Sequence, residues 1–420
     1  MNKFVGLDVL RFSLAVYLMV FHSIHQYPQN GTIPFIELSN LGGFATSSFF
    51  ILSGFILAHV YFGRTTELRG GAREFFVKRL SNLYPVHLIS LLLVLLVSAA
   101  GTRGFAQFAV MSLDDAERYV TLPPLDTAIN FVLNLFLLQV WHPIYGSVNP
   151  PSWSLATLFF FYLVFPFFAP RLLKAQQKPR LLVALWLLYL IPPIAGTLMN
   201  WYGPEAVGMI TRNPLLRLPE FLVGIVLYGL FREGRLNTVC NSGAKKVAAW
   251  IFILASFALA AWLETYGPIA TRYVIHNGAL MPAQVLLVII FAGVAIPARF
   301  SALSVRLGNS ALSIFAIHVP IFLVMIKVLK LLSIGKSPLW CASHFSACVA
   351  ASKEVIPSMA TYPLYLIGTV IAAVYFQERL VAPLRDWIRG RFLKRRTCAP
   401  AAKVRSAPEH RLDAQRSAGR

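Results

Sequence analysis

The run GLDVLRFSLAVYLMVFHSIH, residues 6–25, is apolar enough to enter a bilayer, yet it carries Asp8, Arg11, His22 and His25. Ionisable side chains inside a membrane span are costly, and they persist where they face a cavity or a partner. Arg11 and His22 stand eleven residues apart. At about 100° per residue they return to within roughly 20° of one helix face, about 16 Å apart along the axis. That face joins a cation at one membrane edge to an imidazole near the other. Three roles are open to Arg11: an ion pair with Asp8 three residues earlier, snorkelling to lipid headgroups, or contact with a substrate. His22 reads either as a base facing a cavity or as a water-exposed interfacial residue. His25, one step further out, reads as interfacial. A cleavable secretory leader would also be apolar here, but Asp8 and Arg11 interrupt the apolar region and no clear small-x-small site follows, so the segment reads as a retained span.

The rest of the 420-residue chain repeats this apolar character, with 57% hydrophobic and 13% charged residues. Such a composition places it among polytopic membrane proteins and away from soluble domains. Runs long enough to span, at about 20 residues each, lie at 7–25, 43–62, 83–100, 152–169, 181–199, 215–231, 247–263, 280–297, 309–329 and 362–380. The expected fold is therefore all-α, a bundle of about ten spanning helices. An eleventh apolar run, Ile129 to Trp141, is short for a span and precedes the turn-rich GSVNPP of 146–151, which makes it a re-entrant or interfacial piece.

Charge tests that count. With ten crossings, one side of the chain collects Arg64, Arg69, Arg73, Lys78 and Arg79, then Arg171, Lys174, Lys178 and Arg180, then Arg232, Arg235, Lys245 and Lys246, then Arg299 and Arg306. The other side holds Arg103, Arg118, Arg212, Arg272, Lys330, Lys336 and Lys353, and also Asp114, Asp115 and Glu117. The positive-inside rule then puts both termini in the cytoplasm, and an eleventh crossing would move the basic 170–180 loop to the wrong side. The net charge of +21 is explained by these loops and the tail. No nucleic-acid-binding motif accompanies it, so nucleic acid is not an expected partner, whereas the lipid bilayer is. Residues 1–388 form one membrane domain, and 389–420 read as a basic, disordered cytoplasmic tail. Cys240 and Cys398 fall on the reducing side. Cys341 and Cys348 share one outer loop and read as a disulfide or as two free thiols. No cysteine pattern suggests a metal.

Other stretches carry polar groups into or beside the spans. Ser47, Ser53 and Gly54 in SSFFILSGF, 47–55, favour close helix approach. Lys78 and Arg79 open the third span, either as an orientation signal or as a cradle for a donor's phosphates. Ser152 is a candidate N-cap and Trp153 a candidate interfacial anchor, with Ser154 beside them. Arg217 with Glu220, Ser310 and Ser313 leading to His318, and Glu378 complete the set. His318 reads first as a hydrogen-bonded packing histidine.

Taken in order, these pieces resemble the acyltransferase-three family of bacterial integral membrane O-acyltransferases that modify surface and exported carbohydrates. The resemblance spans most of 5–388. It rests on LDVLR at 7–11 with His22, SFFILSGF at 48–55, Arg79 with Pro85, PSWSL at 151–155, Arg217 to Gly224, Leu307-Gly308 with Ser313 and His318, and Glu378. It implies transfer of an acyl group, commonly acetyl, from acetyl-CoA or another acyl-CoA to a carbohydrate hydroxyl at the bacterial inner membrane, with no bound cofactor. It further implies His22 as the base, Arg11 orienting it or meeting the donor, Arg79 and Lys78 at the donor's phosphates, and Asp8, Ser53, Trp153, Ser154, His318, Glu220 and Glu378 in support. Two positions depart from the family pattern: Asn82 replaces an expected second Arg, and Leu158 an expected Glu. The same buried charges would also suit a carrier of a polar or lipid-linked solute, and the two departures a family member that binds glycan without turnover.

Overall fold

The computed structural model describes residues 4–63, 65, 67–99, 107–110, 112, 113, 118–236 and 242–393. Arg64, Arg103, Asp114, Asp115, Glu117, Cys240, Cys398 and the tail from Lys394 onward lie outside the described residues. Ten helical segments among those described are long and apolar enough to cross a membrane.

The helices in chain order are α1 Val5–Ser23, α2 Gly42–Tyr61, α3 Gly71–Ala99, α4 Pro124–Leu135, α5 Ser152–Lys174, α6 Lys178–Leu198, α7 Pro204–Arg212, α8 Pro214–Arg232, α9 Gly243–Tyr266, α10 Ile269–Val274, α11 Met281–Gly293, α12 Ala298–Leu332, α13 Pro338–Ser343, α14 Phe345–Glu354, α15 Tyr362–Phe376 and α16 Ala382–Phe392. A small antiparallel ribbon pairs Gln107–Val110 with Arg118–Thr121 between α3 and α4.

Several spans differ in extent from their apolar runs, among them the ninth, α12, which starts at Ala298, eleven residues before its run. The third starts at Gly71, twelve residues before the apolar run, because an amphipathic turn with a Glu74–Lys78 pair precedes it. The eighth is built from α10, a wide turn and α11. Its backbone leaves helical geometry at Asn277 and at Gly278, whose φ of 115° is a conformation that favours glycine. The last continues through a wide turn at Gln377–Val381 into α16, so ordered helix runs to Phe392.

Helix contacts centre on two pairs, α1 against α12 and α2 against α8. Glycines permit both. A Cβ on Gly308 would lie 2.6 Å from that of Asp8, while Gly54 faces the Phe221 carbonyl and Gly224 the Ile51 carbonyl. Backbones approaching this closely maximise van der Waals contact where lipid supplies no hydrophobic drive. Gly224→Ala is therefore expected to cost about 1–3 kcal/mol through overpacking, read as a lower melting temperature of the detergent-solubilised protein. An unchanged melt would contradict the α2–α8 contact.

The Ile129–Trp141 run forms the end of α4 and a following turn, not a span. Its buried amides tie it down. Asn134 Nδ2 donates to the Asn130 and Gly146 carbonyls, its Oδ1 accepts from the Val148 amide, and Asn149 Nδ2 donates to the Ala316 carbonyl at 2.8 Å. Leu125, Val132 and Phe136 point outward, exposed. Cys341 of α13 and Cys348 of α14 are joined as a disulfide in the loop that follows α12 and holds these two short helices. That loop lies at the same end as the C-terminus of α1, where Ser23 bonds Tyr362 and Tyr27 bonds Thr361.

Candidate active site

Polar side chains of α1, α2, α3 and α5 converge on an interior cavity of about 120 Å³. Its polar lining is Arg11, Thr46, Ser53, Arg79, Asn82, Ser154 and Tyr162. Leu18, Phe49, Leu158 and Phe315 supply much of the apolar wall. Arg11 donates to Asp8 Oδ1 at 3.3 Å, so the i, i+3 pair read from the sequence forms. Ser154 donates to the Pro151 carbonyl within the first turn of α5. Both positions that depart from the family pattern, Asn82 and Leu158, face this cavity. Its charged lining among the described residues is thus two arginines with no carboxylate.

Arg79 borders a second space. A vestibule of about 570 Å³ at the α2–α3 turn is lined by Val60, Tyr61, Arg69, Gly70, Glu74, Lys78, Arg79 and Arg389. Arg79 is fixed between the two by its Nε–H to the Tyr61 hydroxyl at 3.0 Å, with the guanidinium 4.8 Å from the Tyr61 ring centre. Lys78 pairs with Glu74 at 2.5 Å and faces the vestibule.

At the other end of α1, the wall formed by Leu18 leads to His22. The Nδ1 atom of His22 lies 2.8 Å from the Leu18 carbonyl and 3.1 Å from Nε2 of His318. His318 is fully buried, and its own Nδ1 lies 3.1 Å from the Ile314 carbonyl. A carbonyl only accepts, so neutral His318 carries its proton on Nδ1 and offers Nε2 as an acceptor. The proton of His22 then sits on Nδ1, shared between the Leu18 carbonyl and His318. This assignment leaves the lone pair of His22 on Nε2, the electronic form a general base requires. His318 is thus a partner of His22 as well as a packed residue. His25 is exposed and bonds Ser39, as an interfacial residue would.

The remaining candidates stand elsewhere. Arg217 and Glu220 are fully buried and paired at 3.0 Å in α8. Arg217 also donates to Asn277 at 2.7 Å and Ser47 at 3.0 Å, with the rings of Phe50, Trp153 and Tyr189 around it. Trp153, read from the sequence as an interfacial anchor, is part of an aromatic cage around the buried Arg217 guanidinium, which lies 5.8 Å from its ring centre. Ser152 is the first residue of α5 and does not cap it; its hydroxyl is buried without a partner among the described residues. Glu378 makes a two-pronged ion pair with Arg306 at 2.6 and 2.9 Å, both exposed, and lines neither cavity. Tyr162, Arg389 and Asn277 also border these sites, and no motif in the sequence singles them out. No group of three or more side chains able to hold a metal occurs among the described residues.

A family model described as an acyltransferase domain matches residues 4–378. Among curated proteins, the acyltransferase MdmB of Streptomyces mycarofaciens is 26% identical over 300 residues, covering 67% of this chain and 69% of that protein. The peptidoglycan O-acetyltransferase OatA of Listeria monocytogenes is 24% identical over 363 residues, covering 79% of this chain and 51% of that protein. The match to the second relative thus takes in only about half of its length. No solved structure matches the chain.

Proposed function

The chain belongs to the acyltransferase-three family and is a membrane acyltransferase of non-aminoacyl groups, and from this premise we propose that it moves an acyl group, acetyl first among them, from acyl-CoA to a hydroxyl of a cell-surface or exported carbohydrate. The observation that carries the reading is the line running from the vestibule past Arg79 into the interior cavity, which reaches Leu18, one turn from His22. The two spaces suit the two parts of such a donor. The vestibule, with its cations, fits a phosphorylated nucleotide head. The interior cavity is too small for a nucleotide and suits a slender thioester-bearing arm.

In the proposed reaction Nε2 of His22 removes the proton of the acceptor hydroxyl as its oxygen attacks the thioester carbonyl. The carbon–oxygen bond forms, the carbon–sulfur bond breaks, and the proton returns from His22 to the departing thiolate. Arg11 sits lower on the same helix face, so it acts along the donor's route, held there by Asp8. The cation-rich end faces the cytoplasm in this reading, where acyl-CoA is found, and the disulfide end faces the oxidising side, where exported glycan waits. The bacterial inner membrane is the proposed location that goes with this orientation.

The test is mass spectrometry of surface glycans from cells with and without the gene. Loss of one class of acyl ester on deletion, restored by the wild-type gene, is the expected result. Full retention of every ester would refute the reading.

A further inference from the structure

We propose that Arg389, on the last helix, is a donor-binding residue whose guanidinium joins Arg79 in holding the phosphate groups of acyl-CoA at the vestibule; this rests on the reading of the preceding section. Four basic side chains, Arg69, Lys78, Arg79 and Arg389, line the vestibule, and Glu74 is the acidic member of its lining. Glu74 is engaged by Lys78.

The two arginines are held differently. Arg79 is anchored on a phenol, and Arg389 on a hydroxyl and a carbonyl: its Nε–H donates to Ser81 Oγ at 3.0 Å and its NH2 group to the Lys78 carbonyl at 3.0 Å. Neutral anchors fix the direction of a guanidinium without spending its charge, the nearby Asp386 carboxylate is engaged by Arg385, and among the described residues no hydrogen bond occupies the NH1 group of Arg389. Both guanidinium groups line the same vestibule, Arg389 anchored on Ser81 and Lys78 beside Arg79 itself, so their charges oppose one another. Bringing like charges together on immobile anchors is unfavourable until a polyanion enters, and a pyrophosphate or phosphomonoester offers several oxygens to a planar donor fork.

Position supports the assignment. The α16 helix packs along α3, and its C-terminal Phe392 carbonyl accepts from Arg73. Arg389 is therefore delivered to the site by ordered helix. It also restores a cation beside Arg79, whereas the neutral side chain of Asn82 turns to the interior cavity.

The experiment uses the full-length protein in detergent or nanodiscs. Wild type, Arg389→Gln and Arg389→Lys are compared for CoA affinity by calorimetry at two salt concentrations, for KM and kcat with acetyl-CoA, and for melting temperature without ligand. Arg389→Gln is expected to weaken CoA binding and raise KM by about tenfold or more, as loss of a charged hydrogen bond does. The salt dependence of binding should become shallower, and Arg389→Lys should recover part of the loss. A Gln variant with unchanged CoA affinity and KM would overturn the role of Arg389 alone. So would one whose KM is unchanged while only kcat or the melt falls. A wild-type protein that binds no CoA would instead overturn the acyl-CoA reading itself, and this proposal with it.

Discussion

Changing His22 to Ala is expected to lower acyl transfer by about 10²–10⁴-fold, the range contributed by a positioned general base, while the KM for the donor stays within a few-fold. The split follows from the proposed roles, which put the donor's head at the vestibule and the base, His22, toward the opposite end of α1. Because the ring also packs against Phe21 and bonds His318, insertion and melting temperature are measured alongside. His318→Ala tests the tautomer. Without His318 the His22 ring keeps the Leu18 carbonyl as acceptor for Nδ1–H but loses the second partner that fixes its orientation, and kcat should fall by about tenfold to a hundredfold, the scale of an orientation loss. It should also show an altered pH profile. Equal turnover of His22→Ala and wild type would remove His22 from the chemistry.

Glu220→Ala is expected to be the most destabilising single change described. Arg217 is fully buried, and removing its carboxylate strands a cation in a low-dielectric interior at a cost of about 3–5 kcal/mol. Asn277, Ser47 and the three surrounding rings soften the loss without replacing the charge. Less protein should survive solubilisation, with a lower melt. A double change to apolar residues, Arg217→Met with Glu220→Leu, should recover much of that stability, because no uncompensated charge is left behind. If Glu220→Ala melts like wild type, the pair is not the clasp that joins α8 to α2 and the broken eighth span.

The span count was legible because a bilayer imposes its own length scale, and a 20-residue apolar run has few other meanings. The Arg11–Asp8 pair was legible for a similar reason, since i, i+3 neighbours meet by helix geometry alone. Contacts across the fold were not. His22 and His318 are 296 positions apart, and nothing in either segment specifies the other. Trp153 at the start of a span carries the usual signal of an interfacial anchor, and only the tertiary arrangement puts the buried Arg217 beside it. Arg389 was hidden by composition: the basic stretch after Ile388 reads as tail, although its first turns continue the helix that docks on α3. Asn277 gave the weakest signal of all, a single amide before a glycine, yet the broken backbone there turns its side chain toward Arg217.

One consequence of Arg79 bordering both spaces concerns ions. An opening through the bilayer that admits an acyl arm would also conduct protons or sodium if it were wide and neutral. Here the interior cavity is lined by Arg79 and by Arg11, the latter paired with Asp8, among apolar walls that screen charge little. A cation entering it meets an electrostatic barrier of the kind that channels use to exclude ions of one sign. On the proposed reading, the same guanidinium that faces the vestibule also opposes the leak of cations along the donor's route.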